Sequence, residues 1–219
     1  MKALVLVAAA ALFVAGNAHA ASCEPSLFPQ SLNLRSARVT APKAALFNDP
    51  EACSRSVGLC RSKAYLVAGD AVLAAQTETG MTCVAFIGRK RSTIGWVDAA
   101  ALAPMPNAPP AVDWTGHWSR SVGDAEATIE RKGKSLSASL SASAEGGRSD
   151  NMRTGGADGD LIVHDDRAEL TNRGDAKCRV HLRGIGAYLI VNDGASDDAN
   201  SPCGGIGVTL NGVYVHTGR

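Results

Sequence analysis

The sequence predicts an all-β protein of two domains joined by a proline-rich linker. Short apolar runs with a period of two recur along the chain, with Gly, Asn and Asp between them, and no long amphipathic helix pattern accompanies them. Prolines at positions 104, 106, 109 and 110 favour an extended linker over 104–111. We therefore expect a first domain over 21–103 and a second over 112–219.

The N-terminus has the pattern of a cleaved export signal. Lys2 precedes an apolar stretch over 3–15 that is short for a membrane span, and Ala18-His19-Ala20 supplies an A-x-A cleavage site. We expect residues 1–20 to be removed and the mature chain to be periplasmic or secreted, without a stable membrane span. A retained anchor and a lipid attachment at Cys23 are the alternatives, although Cys23 lacks a Leu three residues before it.

The six cysteines all lie beyond the expected cleavage site. An even number in an exported chain indicates disulfides, and zinc binding is not supported because no C-x-x-C pair is present. The second domain has one possible pair, Cys178 with Cys203, which a meander of three strands would bring to one end of a barrel. The first domain permits three pairings of its four cysteines, of which we expect Cys53–Cys60 with Cys23–Cys83.

The second domain shows the clearest strand pattern. The segments AEATIER and SLSASLSA alternate apolar and polar residues, with serines or charged residues facing outward. The expected inward positions are Ala125, Ala127, Ile129, Leu136, Ala138, Leu140 and Ala142. With DLIVHD, RAELTN, KCRVHLRG, AYLIVND and GIGVTLNGVYVHT, about eight strands are predicted. This number favours a closed antiparallel barrel, with a sandwich as the alternative.

Two glycine-rich segments need an interpretation. The segment CGGIGVTLNGVYV, from Cys203, lacks the Lys and Ser/Thr of a P-loop, the G-x-G-x-x-G spacing and a following helix. We expect it to be a closing strand, with Ile206, Val208 and Leu210 on one side and a turn or bulge at Asn211-Gly212. The segment GGADGDLI, over 155–162, is predicted to be a hairpin turn rather than a calcium-binding repeat, because only one copy is present.

The first domain carries two motifs of a known kind. KAYLVAGDAV places Gly69-Asp70 at a turn between two apolar strands. IGWVDAAAL has the sequence Gly-Trp-Val at 95–97, then a short DAAA segment suited to one helical turn, and Leu102 closes it. Over 36–104 the chain resembles bacterial SH3-like domains of exported proteins. The resemblance implies a small barrel that binds wall peptides, glycans or a protein partner. Tyr65, Phe86 and Trp96 are candidates for an aromatic binding surface, with core packing as the alternative.

The end of the chain gives a second, shorter resemblance. The run from Cys-Gly-Gly to Gly-x-Tyr is similar to the tails of small exported bacterial proteins related to lysozyme inhibitors. It implies, as an alternative function, an inhibitor or immunity protein against a wall hydrolase. In that case loops over 148–160 and 195–202 would enter the hydrolase cleft. A further alternative is a carrier that holds a small apolar ligand inside the second barrel.

Catalytic and cofactor motifs are missing from the sequence. There is no G-x-S-x-G elbow, the cysteines are assigned to disulfides, and His164-Asp165-Asp166 and the acidic segment 197–200 are better explained as surface turns than as metal sites. Loss of Lys2 leaves 21 basic residues of the original 22 against 21 acidic ones, so nucleic acid is not expected as a partner. We therefore expect an exported, non-enzymatic binding protein, without a cofactor, that engages peptidoglycan or a protein of the envelope.

Overall fold

A computed structural model describes residues 22–31, 34–49, 58–88, 92–105, 112–146, 151–195 and 201–218. Within these ranges the chain is nearly all β, as the sequence predicts. The first part contains the short helix α1 (Leu27–Gln30) and seven strands: β1 (Arg35–Val39), β2 (Lys43–Asn48), β3 (Cys60–Val67), β4 (Ala71–Glu78), β5 (Met81–Ile87), β6 (Ser92–Asp98) and β7 (Leu102–Pro104). The expected export signal and residues 106–111 of the expected linker lie outside the described residues.

The seven strands form one sheet in the order β3-β2-β6-β5-β4-β1-β7. Between β6 and β7, the segment Ala99–Ala101 forms a 3₁₀ helix. The Asp98 carboxylate caps this turn by accepting a hydrogen bond from the backbone N–H of Ala100 at 2.9 Å. The single helical turn predicted for DAAA is therefore present.

The second part is a closed antiparallel barrel of eight strands, which confirms the predicted architecture. Its strands are β8 (Gly116–Arg120), β9 (Ala125–Lys132), β10 (Ser135–Glu145), β11 (Met152–His164), β12 (Arg167–Thr171), β13 (Arg179–Ile185), β14 (Tyr188–Asn192) and β15 (Gly212–Gly218). Each strand pairs with the next in the chain, and β15 closes the barrel against β8. Closure leaves no open sheet edge in this part of the molecule.

The predicted alternation in β9 and β10 is confirmed. All seven expected inward residues of these strands are buried, whereas Ser139 and Ser141 are exposed. Ser137 is the exception among the outward serines, because its side chain is also buried. Small or aliphatic side chains fit the interior of a narrow barrel, and the exposed serines of the opposite face point towards solvent. The sequence of these strands therefore suits a narrow barrel.

The hairpin turn predicted for 155–162 is wrong, because this segment lies inside strand β11. The glycines of this segment do not form a turn. They allow other backbone segments to pack closely against β11, because they have no side chain. A Cβ atom on Gly155 would meet the Cα atom of Gly204, and one on Gly159 would lie 2.5 Å from the carbonyl oxygen of Thr171. It also follows that 152–160 does not form the hydrolase-directed loop expected over 148–160.

The closing strand is shorter than predicted, because 206–211 is irregular and β15 begins only at Gly212. Val208 and Leu210 are buried, but Ile206 is exposed, so the three do not share one face. The backbone here is bonded by side chains instead of a neighbouring strand. The carboxylate of Asp193, for example, accepts from the backbone N–H of Leu210 at 2.7 Å.

One of the three hydrophobic clusters joins the two sheets. It contains Phe28 and Leu34 from the N-terminal segment, Leu73, Ala75, Cys83, Ala85 and Trp96 from the first sheet, and Ile185, Ile190 and Val213 from the barrel. Helix α1 contacts β4, β14 and β15, and Phe28 is only 1% exposed. The first sheet and the barrel therefore pack on each other through the segment that carries α1.

Two disulfides fix the ends of this arrangement. Cys23–Cys83 joins the N-terminal segment to β5, and Cys178–Cys203 joins the β12–β13 connection to the β14–β15 connection. Cys60 is also disulfide-bonded, and its expected partner Cys53 lies outside the described residues. Among the described residues, none of the helices has the length and apolar character needed to cross a membrane.

Candidate functional site

The three aromatic residues singled out in the first domain lie in different environments. Trp96 is 3% exposed and belongs to the cluster shared by the two sheets, whereas Phe86 packs partly buried against the other cluster of the first sheet. Tyr65 is 53% exposed on β3, and the ammonium group of Lys43 lies 4.2 Å from its ring centroid. The structure does not bring the three onto one exposed surface, and the burial of Trp96 supports its alternative role in the core.

A different surface lies at one end of the barrel. Because neighbouring strands are antiparallel, the connections that follow β8, β12 and β14 all lie at the same end, together with the start of β11. We refer to residues 121–124, 152–153, 172–178, 193–195 and 201–211 as the loop end. The Cys178–Cys203 disulfide lies within it.

Exposed apolar side chains are concentrated at the loop end. Val122 is 52% exposed, Met152 is 63% exposed and Ile206 is 70% exposed. These are three of the six large hydrophobic residues that are exposed in the described part of the chain. Apolar side chains grouped on one face of a protein indicate an interaction surface more strongly than single exposed ones do.

The connection from β14 to β15 is organised by the buried carboxylate of Asp193, which is 1% exposed. Its Oδ2 accepts hydrogen bonds from Ser201 Oγ at 2.6 Å, Thr209 Oγ1 at 3.0 Å and the backbone N–H of Leu210 at 2.7 Å. Its Oδ1 also accepts from the backbone N–H of Ala195 at 3.1 Å. A buried carboxylate with this many donors fixes the start and the end of the connection relative to each other.

Two arginines hold the same connection from opposite sides. Arg120 donates from Nη1 to the carbonyl oxygens of Thr209, at 2.8 Å, and Asn211, at 3.2 Å. Arg153 donates from Nη1 to the carbonyl oxygen of Ile206 at 2.9 Å and from Nη2 to that of Glu145 at 3.3 Å. The exposed Ile206 is therefore presented on a backbone that is held in place before any partner binds.

Glycine is needed where Arg153 packs against this connection. Gly207 has φ +72°, and a Cβ atom there would lie 2.8 Å from Nη1 of Arg153. The glycine-rich segment after Cys203 thus permits close packing of a fixed loop, a role different from the closing strand that the sequence suggests.

A cleft of about 430 Å³ opens between α1, the first sheet and the loop end. Phe28, Ile94, Val208 and Val213 contribute to its apolar walls, and Arg120 contributes a cation. A mostly apolar cavity of this size with a few fixed polar groups is typical of a binding site for a small molecule or a short peptide.

Two buried hydroxyl groups at or beside the loop end have structural roles. The Ser201 hydroxyl donates to Asp193, is 5% exposed and accepts from the backbone N–H of Cys203 at 3.0 Å, so its position resembles a turn support rather than a nucleophile. Tyr214 donates to the carbonyl oxygen of Leu210 at 2.8 Å, and burial raises the pKa of its phenol strongly. Within the described ranges, no three His, Cys, Asp or Glu side chains are grouped as metal ligands.

The interior of the barrel is packed with side chains. The inward residues form one buried cluster that includes Trp118, Leu170, Leu182 and Tyr214. The indole nitrogen of Trp118 donates to the carbonyl oxygen of Trp114 at 3.1 Å, so its polar group is satisfied internally.

Sequence reasoning missed Asp193, Arg120, Arg153 and Ile206 as parts of a site. An aspartate directly after the apolar run of β14 was a weak signal, since Asp is common in turns. The two arginines follow ordinary strand patterns, and their partners in this connection are 53 to 91 residues away in the chain. Comparisons with protein-family models, curated proteins and solved structures gave no match.

Proposed function

We propose that this chain is an exported, non-enzymatic binding protein of the bacterial cell envelope that engages peptidoglycan or a wall-associated protein through its loop end. The observation that carries this proposal is the position of Val122, Met152 and Ile206, which are all exposed at the end of the barrel where the cleft opens. A surface that is fixed before binding loses little conformational entropy when a partner binds.

The first sheet supports the resemblance of residues 36–104 to bacterial SH3-like domains, on which the proposed wall binding partly rests. Its strands β7-β1-β4-β5-β6 are neighbours in that order, and the 3₁₀ turn Ala99–Ala101 precedes the last strand. A wall-binding role for the protein rests on this resemblance and on the export signal expected over 1–20.

The cleft suits a peptide better than a bare glycan. Its lining places the apolar side chains of Phe28, Ile94 and Val213 beside hydroxyl and amide groups. Arg120 supplies the kind of donor that recognises carboxylates or carbonyl oxygens. The short peptides of the wall combine aliphatic side chains with carboxylates, so they match this lining.

Inhibition of a wall hydrolase is the second candidate function. It is favoured by the connection around Ile206, because an exposed apolar side chain on a loop that is held by hydrogen bonds and a disulfide is suited to enter a concave enzyme cleft. The carrier alternative is less favoured, since the barrel interior is already filled by the cluster around Leu170 and Leu182.

One assay separates these functions. The mature, oxidised protein is sedimented with insoluble peptidoglycan, and wall clearing by lysozyme is followed in parallel with and without the protein. The test variant is Ile206→Asp, and the matched control is Ile162→Asp, because Ile162 is 61% exposed on β11 outside the loop end.

We expect the wild type and the Ile162→Asp control to pellet with peptidoglycan, and Ile206→Asp to remain in the supernatant. If the wild type stays in solution but slows lysozyme, and Ile206→Asp does not, the inhibitor function replaces wall binding. A wild type that neither pellets nor slows clearing would reject both functions.

A further inference from the structure

A second cavity, of about 290 Å³, lies beside the barrel and is lined by residues outside the loop end. One side is formed by the N-terminal segment, including Pro29 and Leu34, and the other by the outer face of β12, β13 and β14. Pro29 and Gln30 also line the larger cleft, so α1 separates the two cavities.

Two arginines face this second cavity from neighbouring strands. Arg167 of β12 and Arg183 of β13 are direct partners in the antiparallel register, and both line the cavity. Like charges directly opposite each other on neighbouring strands are destabilising. Their placement therefore needs a compensating negative charge.

The carboxylates of the protein neutralise only part of the positive charge of these two arginines. The Asp166 carboxylate lies 3.0 Å from Nε of Arg183 and 3.9 Å from Nε of Arg167, so one negative charge is shared by two positive charges. Glu169, the other carboxylate on this face, forms its ion pair with Arg179, and its Oε2 lies 4.0 Å from Nδ1 of His181. With His181 counted as neutral, the cavity retains one positive charge in excess.

The guanidinium groups of Arg183 and Arg167 differ in how many of their nitrogens are bonded to the protein. Nη1 of Arg183 donates to the carbonyl oxygen of Leu34 at 3.1 Å, which fixes this guanidinium against the N-terminal segment. Arg167 has its only ion pair within the described residues through Nε, and its side chain is 66% exposed against 21% for Arg183. Arg167 thus has outer nitrogens available for a ligand beside a guanidinium that is already positioned.

We propose that this cavity binds the carboxylate of a small organic molecule or peptide, with Arg167 as the main contact and Arg183 as the fixed second cation. A single carboxylate matches the excess of one charge, whereas a phosphate dianion would not. Leu34 and Ile190, both buried in the cavity wall, provide an apolar surface for the rest of the ligand. The proposal does not depend on the loop end or on wall binding.

The test is an NMR titration of the full mature protein with acetyl-Ala-Ala, which has a free carboxylate. The same peptide as its C-terminal amide and inorganic phosphate serve as the comparison ligands. The variants are Arg167→Gln, Arg167→Lys and the control Arg131→Gln, whose side chain is exposed on β9 and does not line the cavity.

We expect the free peptide to shift resonances of β12 and β13, and Arg167→Gln to weaken its binding about tenfold. Arg167→Lys should recover part of the affinity, Arg131→Gln should leave it unchanged, and the amide should not bind. The proposal would be overturned if the amide bound as strongly as the acid or if phosphate were preferred. It would also be overturned by an equal loss in Arg131→Gln or by no binding to the wild type.

Discussion

The indole nitrogen of Trp96 donates a hydrogen bond to Oδ1 of Asp49 at 2.5 Å. The same carboxylate accepts from the backbone N–H of Cys23, at 2.9 Å through Oδ2 and at 3.1 Å through Oδ1. Asp49 therefore links β6 to the N-terminal segment that carries both α1 and the Cys23–Cys83 disulfide. This relationship makes Trp96 part of the junction between the first sheet and the barrel.

Replacement of Trp96 by Phe should lower stability without affecting partner binding. The change removes one donor to a carboxylate and leaves a space in the shared core, so we expect a loss of about 1–3 kcal/mol in the free energy of unfolding. Urea denaturation measures this, with the exposed Tyr65→Phe as a control that should change stability by less than about 0.5 kcal/mol. A Trp96→Phe protein of normal stability that no longer binds peptidoglycan would contradict the core role.

Removal of the Cys178–Cys203 disulfide should loosen the loop end. The bond spans 25 residues, so loop-closure entropy predicts a loss of about 3 kcal/mol for the double Ser variant. Hydrogen exchange of the 203–210 amides should accelerate more than exchange in β9 and β10, because only the hydrogen bonds of Asp193, Arg120 and Arg153 would then position the connection. Uniform acceleration throughout the barrel would instead indicate a global role for this bond.

The close approach of β11 to the β14–β15 connection can be tested at Gly155. A Cβ atom there would meet the backbone of Gly204, which cannot give way as a flexible side chain can. We expect Gly155→Ala to cost about 1–3 kcal/mol and to shift NMR resonances of the loop end. Gly174→Ala is the control, because its Cβ atom would have no neighbour closer than 3.9 Å, and it should be nearly neutral.

The architecture of the barrel followed from local patterns. Alternation in β9 and β10 decides which face is buried, since a shift of one residue would expose Leu140 in β10 and bury Glu126 and Glu130 in β9. Eight such segments with turn residues between them are enough to predict closure. The helical turn before β7 was predictable for the same reason, because Asp98 provides a local cap.

The structure of the loop end and the cleft was not predictable from the sequence, because it depends on contacts between residues that are far apart in the chain. The segment 206–211 alternates like a strand, but its backbone groups bond to Asp193 and Arg120 instead of a strand. The glycines of β11 resemble a turn until the connection that packs on them is known. Phe28 lies in a segment with little pattern of its own, and its place in a core shared by both sheets depends on contacts far along the chain.

The hydroxyl group of Tyr214 is buried where β15 meets the loop end. Tyr214 is 0% exposed and donates to the carbonyl oxygen of Leu210 at 2.8 Å. Desolvation by burial is the largest cause that raises the pKa of this phenol above its usual 10.0; the nearby Asp193 raises it further, and Arg120 opposes the shift. Burial also raises the pKa of Tyr188.

These raised pKa values predict a loss of stability in alkaline solution. Well below pH 10 both tyrosines are protonated whether the chain is folded or unfolded, so their full contribution is present. Above about pH 10 the unfolded chain loses these protons first, and Tyr214 lowers the free energy of unfolding by up to about 1.4 kcal/mol per pH unit until its folded pKa is reached. Tyr188 is only partly buried, so its contribution to this decline is smaller. Tyr214→Phe should cost about 1 kcal/mol at pH 7, because the carbonyl oxygen of Leu210 loses its donor, but it should flatten the decline above pH 10. Urea denaturation at pH 7 to 11 measures both effects, and an unchanged slope in the variant would show that Tyr214 is not the group responsible.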